Sequence, residues 1–172
     1  MDKFSLLYIW FVRLVMIWLP DYPPIMRLRG ALYSLVFDEC GKNLQVAADV
    51  KIMGANRLKF GNDIYLATGV TILARDQISI GSEVLVGVNS VLVSGNHTFD
   101  ASRLSYRFGK PKCRPISVGQ GSWIASGVTV TAGTVIGSGV LIGPASSTHG
   151  TYRDGIIYFA PKLVEKADSD GR

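Results

Sequence analysis

From Val118 onward, aliphatic residues return every six positions, at Val118, Ile124, Val130, Ile136 and Ile142. The next position is small each time: Gly119, Ala125, Thr131, Gly137 and Gly143. Four places after each aliphatic stand Ser122, Val128, Thr134, Val140 and Ser146, again small or β-branched. The same phase reappears upstream in blocks, at Ile80, Val86 and Leu92, at Phe60, Leu66 and Ile72, and at Val46 and Ile52. A few extra residues separate the blocks at 75–79 and 57–59, and one long segment, 96–117, interrupts them. A period of six suits neither an amphipathic helix nor a simply alternating strand. It fits short strands joined by tight corners, with one aliphatic per face pointing inward. Three hexads, about 18 residues, make one triangular coil, and coils stack at about 4.8 Å. The pattern therefore predicts an all-β solenoid, a parallel β-helix of about five coils between Val46 and Thr148. Segment 96–117 is then a loop extruded at a corner, where it does not break the stack.

The N-terminus has another texture. Residues 4–19 read FSLLYIWFVRLVMIWL, interrupted only by Ser5 and Arg13. A bilayer-spanning helix needs about 20 apolar residues, and here Arg13 would sit near the bilayer centre. A cleaved signal peptide is not expected either, since Leu-Pro-Asp-Tyr-Pro-Pro follows instead of a small-residue site. Two readings stay open: a helix packed on protein, its own domain or a sister subunit, or a helix lying in a membrane interface. In the second, Tyr8, Trp10 and Trp18 sit at headgroup level. Pro20, Pro23 and Pro24 end the segment, and 25–37 predicts a second helix carrying Arg27 and Arg29. The chain thus divides into an apolar helical segment 1–40, a solenoid 41–150 with its loop 96–117, and a C-terminal segment 151–172.

Composition narrows the class. With 48% hydrophobic and 18% charged residues, the chain of 172 is one folded domain and not a disordered segment. Two cysteines, Cys40 and Cys113, exclude a disulfide scaffold and fit a reducing, cytoplasmic compartment. The 19 glycines fit the many corners of a solenoid. Thr129, Thr131 and Thr134 form no regular ladder, which excludes an ice-binding face. Two histidines, His97 and His149, are too few for a three-histidine zinc site, so no metal is expected. The net charge of +5 is uneven. Arg103, Arg107, Lys110, Lys112 and Arg114 lie in loop 96–117 against Asp100 alone, with Tyr106 and Phe108 interleaved. Such a loop suits an anionic group, but no nucleic-acid recognition element accompanies it.

Residues 80–100 (IGSEVLVGVNSVLVSGNHTFD) and 118–146 (VGQGSWIASGVTVTAGTVIGSGVLIGPAS) resemble the hexapeptide-repeat acyltransferases. These are left-handed parallel β-helices that work as trimers and use acetyl-CoA. The resemblance covers about 41–162 and is greatest to sugar and polysaccharide O-acetyltransferases, including galactoside, maltose and lipopolysaccharide-modifying enzymes. It implies that His97 is the general base, since a neutral imidazole takes a hydroxyl proton as the new bond forms. Asp100 or a backbone carbonyl would hold its tautomer. No Ser–His or Cys–His nucleophile motif is visible, so direct transfer is expected, with backbone N–H groups stabilising the oxyanion.

The resemblance also implies a groove between subunits for the pantetheine arm, at Ala125 and Ser126 and, one coil later, Gly143 and Pro144. Trp123 matches the tryptophan lining the acyl-transfer site. Lys162 matches a lysine near the CoA phosphates, although the glycine and alanine that flank the family's proline there are absent. Asn89, Asn96, Arg103 and Tyr106 are the candidate acceptor contacts. Galactoside-type enzymes carry an asparagine and an aspartate where this chain has Ala67 and Ala74 or Arg75, which argues against a simple galactoside or maltose acceptor. The implied activity is acetyl-CoA-dependent O-acetylation of a sugar in surface polysaccharide or lipopolysaccharide biosynthesis, by a homotrimer; the apolar N-terminus, in its membrane reading, would place it at the inner face of the membrane. N-acetylation of an amino-sugar nucleotide and a non-catalytic, sugar-binding β-helix are the alternatives.

Overall fold

The computed structural model describes residues 3–159. Two helices come first, α1 (Lys3–Met16) and α2 (Pro23–Ser34). Six coils of short strands follow. The first coil holds β1 (Glu39–Cys40), β2 (Gln45–Val46) and β3 (Lys51–Met53), and the second β4 (Leu58–Phe60), β5 (Tyr65–Leu66) and β6 (Thr71–Leu73). The third holds β7 (Ile78–Ile80), β8 (Leu85–Val86) and β9 (Val91–Val93), after which a hairpin, β10 (Gly95–His97) and β11 (Pro111–Cys113), leaves the stack. The fourth holds β12 (Ile116–Val118), β13 (Trp123–Ile124) and β14 (Thr129–Val130), and the fifth β15 (Val135–Ile136), β16 (Leu141–Ile142) and β17 (Ser147–Thr148). Strands β18 (Thr151–Tyr152) and β19 (Ile157–Tyr158) give the sixth coil two faces.

Strands of successive coils pair in parallel into three sheets. Face A runs β1-β4-β7-β12-β15-β18, face B β2-β5-β8-β13-β16-β19 and face C β3-β6-β9-β14-β17. The solenoid read from the hexads is the fold observed, with one coil more than the blocks suggest. The extra turn escapes the aliphatic pattern because Tyr152 and Tyr158 occupy its core-facing positions, as Cys40 does in the first coil. The Tyr152 and Tyr158 rings meet edge to face, 4.8 Å apart, at that end. Coil length also changes. Glu39 pairs with Lys59 and Lys59 with Ser79, twenty residues apart, whereas Ser117 pairs with Val135 after eighteen and Val135 with Thr151 after sixteen.

The inward column of face B, Val46, Leu66, Val86, Ile124 and Ile142, is fully buried, and each such side chain contributes roughly 1.5–3 kcal/mol. Small residues in the next position are required by stacking. A Cβ on Gly87 would lie 2.7 Å from the backbone of Ala125 and Ser126 in the next coil. The corner between faces B and C turns through positive φ in four coils, at Gly69, Asn89, Gly127 and Ala145, which explains the glycine and asparagine there.

The helices cap the first coil. Gly30 lets α2 approach so closely that a Cβ there would lie 1.9 Å from the Leu44 carbonyl oxygen. Arg29, fully buried, ties the cap together. Its Nη1 donates to Asp21 Oδ1 (3.0 Å) and to the Val46 carbonyl, and its Nη2 to the carbonyls of Met16 (3.3 Å) and Leu19 (3.1 Å). One guanidinium thus closes the C-terminal end of α1, the interhelical turn and β2 onto each other. Helix α1 buries Ser5, Ile9, Val12 and Met16, so it packs on its own chain along one stripe. Among the described residues no helix is long and apolar enough to cross a membrane.

Replacing Arg29 with alanine removes every one of these bonds and leaves Asp21 without its cation. We expect a loss on the order of 3 kcal/mol, read as a lower thermal midpoint and earlier proteolysis between α1 and α2. An unchanged midpoint and cleavage pattern would show that the cap does not depend on this clasp.

Candidate active site

The hairpin grows from the corner between faces C and A. Its register pairs Gly95 with Cys113, Asn96 with Lys112 and His97 with Pro111. Beyond it, Asp100 and Ser105 exchange both backbone hydrogen bonds, 2.9 and 3.1 Å, which closes the tip. The Thr98 hydroxyl donates to the Lys110 carbonyl (2.7 Å). The Phe99 and Tyr106 rings lie 5.2 Å apart, and the Arg103 guanidinium sits 4.8 Å from the Phe108 ring centroid. The aromatics interleaved with the cations thus fold the loop onto itself. At the root, the stem of Arg75, from the coil below, lies across Gly95, where a Cβ would meet Arg75 Cγ at 2.7 Å.

His97 opens on a cleft of about 430 Å³, with Asn96, Arg75, Arg107 and Cys113 on its walls. The imidazole is exposed and has no hydrogen-bond partner among the described residues. Among those residues, too, no carboxylate lines the cleft and neither guanidinium has an ion pair. The lining therefore carries an uncompensated positive charge.

Asp100 does not hold His97, contrary to the sequence expectation. Its Oδ1 accepts from the Ser102 hydroxyl (2.6 Å), the Ser102 N–H (3.0 Å) and the Arg103 N–H (3.3 Å). The Ser102 hydroxyl above all holds this exposed carboxyl below the ordinary aspartate range. A depressed value favours the folded turn above the unfolded carboxylate range, an advantage lost as pH falls through the depressed value, so the turn is intact at neutrality. Three residues in sequence separate Asp100 from His97, but the turn aims its carboxylate inward at the loop tip.

The remaining candidates fall into separate places. Arg103 and Tyr106 stand at the tip, outside the lining of the cleft. Trp123, 49% exposed, projects from face B between Leu85 and Leu141 of the adjoining coils. Ile124 pairs with Ile142, so Ala125 and Gly143, Ser126 and Pro144 are one coil apart as the spacing implies. Ala125 and Gly143 are buried, and a Cβ on Gly143 would strike the Phe159 ring at 2.4 Å, so coil stacking itself demands smallness there. Ser126 and Pro144 are exposed at that corner, as is Asn89 one coil earlier, at the other end of β9 from the hairpin. Within one chain, then, His97, Asn96 and Arg107 meet at one edge of the prism, while Trp123, Ser126, Pro144 and Asn89 belong to face B and the next edge. Lys162 lies outside the described residues. His149 is exposed at the face C–A corner two coils beyond the hairpin. No cluster of three or more His, Cys, Asp or Glu suited to a metal occurs among the described residues.

Arg75, which the sequence shows only as a departure from the galactoside pattern, and Cys113, which it does not single out, both join the cleft. The twenty-residue coil is the signal that finds Arg75, since it stacks residue 75 beneath residue 95.

No family model matches the chain. It is 28% identical over 130 residues, 76% of the chain and 68% of the relative, to the Escherichia coli K12 protein WcaF, provisionally named a colanic acid biosynthesis acetyltransferase. It is also 28% identical over 127 residues to the galactoside O-acetyltransferase of the same organism, covering 73% of the chain and 61% of that enzyme. Its fold matches a hexapeptide-repeat-containing acetyltransferase from Vibrio cholerae, solved with acetyl coenzyme A, at a TM-score of 0.79. That match covers 92% of the chain and 83% of the other, at 19% identity. In sequence and in fold, the chain is similar to hexapeptide-repeat acetyltransferases.

The placement of Asp100 yields an expected outcome. Asp100→Ala should speed amide exchange at Ser102 and Arg103 while leaving the His97 ring resonances, followed by NMR at neutral pH, where they were. Displaced His97 ring resonances would show that the carboxylate acts on the imidazole after all.

Proposed function

We propose that this chain is an acetyl-CoA-dependent O-acetyltransferase acting on a sugar hydroxyl, with His97 as general base and direct transfer. The observation that carries the reading is an exposed, unpartnered imidazole in a cationic cleft, on a solenoid similar to those of acetyltransferases. His97 takes the hydroxyl proton as the oxygen bonds to the acetyl carbon, and returns it to the departing thiolate sulfur as the C–S bond breaks. The imidazole ends as it began, so no acyl-enzyme is needed.

Assembly completes the site in this reading. A homotrimer that sets the hairpin of one copy against the face B–C edge of the next unites His97 with Trp123, Ser126 and Pro144. The vacant donors of Arg75 and Arg107 suit a carboxylate or phosphate close to the reacting hydroxyl. That anion belongs either to an acidic acceptor sugar or to coenzyme A.

Free-thiol release from acetyl-CoA with a panel of sugar acceptors tests the reading. His97→Ala should lower kcat by about 10²–10⁴ with little change in KM for acetyl-CoA; undiminished turnover would overturn the mechanism. Arg75→Ala should raise KM on the order of tenfold for whichever substrate carries the anion, so the acceptor and acetyl-CoA arms identify it. A fully active monomer by light scattering would remove the intersubunit arrangement.

A further inference from the structure

We propose that the outward side of α1 binds a bilayer surface containing anionic lipid, and so holds the solenoid against a membrane. The buried residues of α1, Ser5, Ile9, Val12 and Met16, form one stripe at helical spacing. The opposite side ought to be polar if it met only water. It carries Leu7, Trp10, Phe11, Leu14 and Val15, all exposed, with Leu7 at 65%, and in the turn just past its end Trp18 is 85% exposed. Among the described residues, Lys3 is the one charge on that side. So large a contiguous apolar surface marks an interaction site.

Length and charge point to its occupant. At 14 residues and about 1.5 Å per residue, α1 reaches roughly 21 Å, too short to span but suited to lying in the interfacial plane. Trp10, and Trp18 just past the helix, are the side chains that favour that depth. Along one flank, α1 and β3 enclose an apolar pocket of about 230 Å³ between Leu6, Trp10, Ile52 and Met53, with Arg13 and Lys51 beside it. The Arg13 Nε is buried there without a hydrogen-bond partner. Room for a few methylenes beside two cations fits an acyl chain below a phosphate headgroup.

A second copy of α1 fits less well. Arg13 and Lys51, beside the pocket, have no ion pair among the described residues. Helix α1 contains no carboxylate, so a second copy of it offers nothing to meet those cations. Phospholipid phosphates supply the missing anions.

The attachment also has a bearing on the cleft. Strand β3, beside the pocket, and β9, which leads into the His97 hairpin, belong to face C and are two strands apart, about 10 Å along the stack. A surface-bound α1 keeps the hairpin near lipid-linked material.

Flotation of the full chain with phosphatidylcholine vesicles, with and without phosphatidylglycerol, tests the proposal. The protein should float with the anionic vesicles. Phe11→Asp/Trp18→Asp and, separately, Arg13→Gln/Lys51→Gln should each lower partitioning on the order of tenfold. The replaced residues are exposed or at a surface pocket, and an unchanged circular dichroism spectrum confirms that the variants fold. His97→Ala should float like the wild type, because binding does not depend on acetyl transfer. Wild-type protein that stays at the bottom of the gradient, or both double variants floating equally well, would overturn the proposal. So would a wild type that does not float and whose light-scattering mass drops on Phe11→Asp/Trp18→Asp, which would assign the face to self-association.

Discussion

Among the described residues no strand is longer than three residues, and none would persist alone. Apart from the hairpin pair β10 and β11, each exists because neighbouring coils take up its N–H and C=O groups, in a ladder running the length of three faces. That mutual dependence dictates the rest. Inward side chains must repeat from coil to coil, the residue at each turn must be small enough for the next backbone to pass, and extra chain is tolerated only at corners. It also makes the ends weak points, where a coil has one neighbour instead of two. At the start of the stack the answer is a helical hairpin clasped by Arg29. At the far end, two tyrosine rings stand in the core-facing places.

The same repetition makes most of the fold legible in the amino-acid sequence. Hexads with a fixed small column leave little room for another architecture, and the break at 96–117 marks where the chain leaves the stack. The terminal coils are harder to see because Cys40, Tyr152 and Tyr158 break the aliphatic rule while obeying the geometric one. The site is legible unevenly. His97 and Asn96 stand out through their motif, and Ser126 and Pro144 through their spacing of eighteen. Asp100 misleads, because nearness in sequence says nothing of where a turn aims a carboxylate. Arg75 is visible in the sequence only as a departure from the galactoside pattern, because its place on the cleft wall is made by stacking, twenty residues away along the chain.

The two edges of the prism present different chemistry. One presents an imidazole with cations around it, and the other a tryptophan and a small-residue corner. Coil stacking alone explains why Ala125 and Gly143 are small, so smallness there is not a mark of a ligand groove. The exposed Ser126 and Pro144 carry more weight for that reason. The hairpin, built from its own hydrogen bonds and ring contacts, carries its histidine away from the core without asking the coils to change.

Gly95 has a consequence beyond the shape of the hairpin root. By lacking a side chain it leaves the space that the stem of Arg75 fills, since a Cβ there would stand 2.7 Å from Arg75 Cγ. A larger residue at position 95 would push that stem, and the guanidinium it carries, off the wall of the cleft. The charge of the cleft thus depends on a backbone position one coil away that bears no charge of its own.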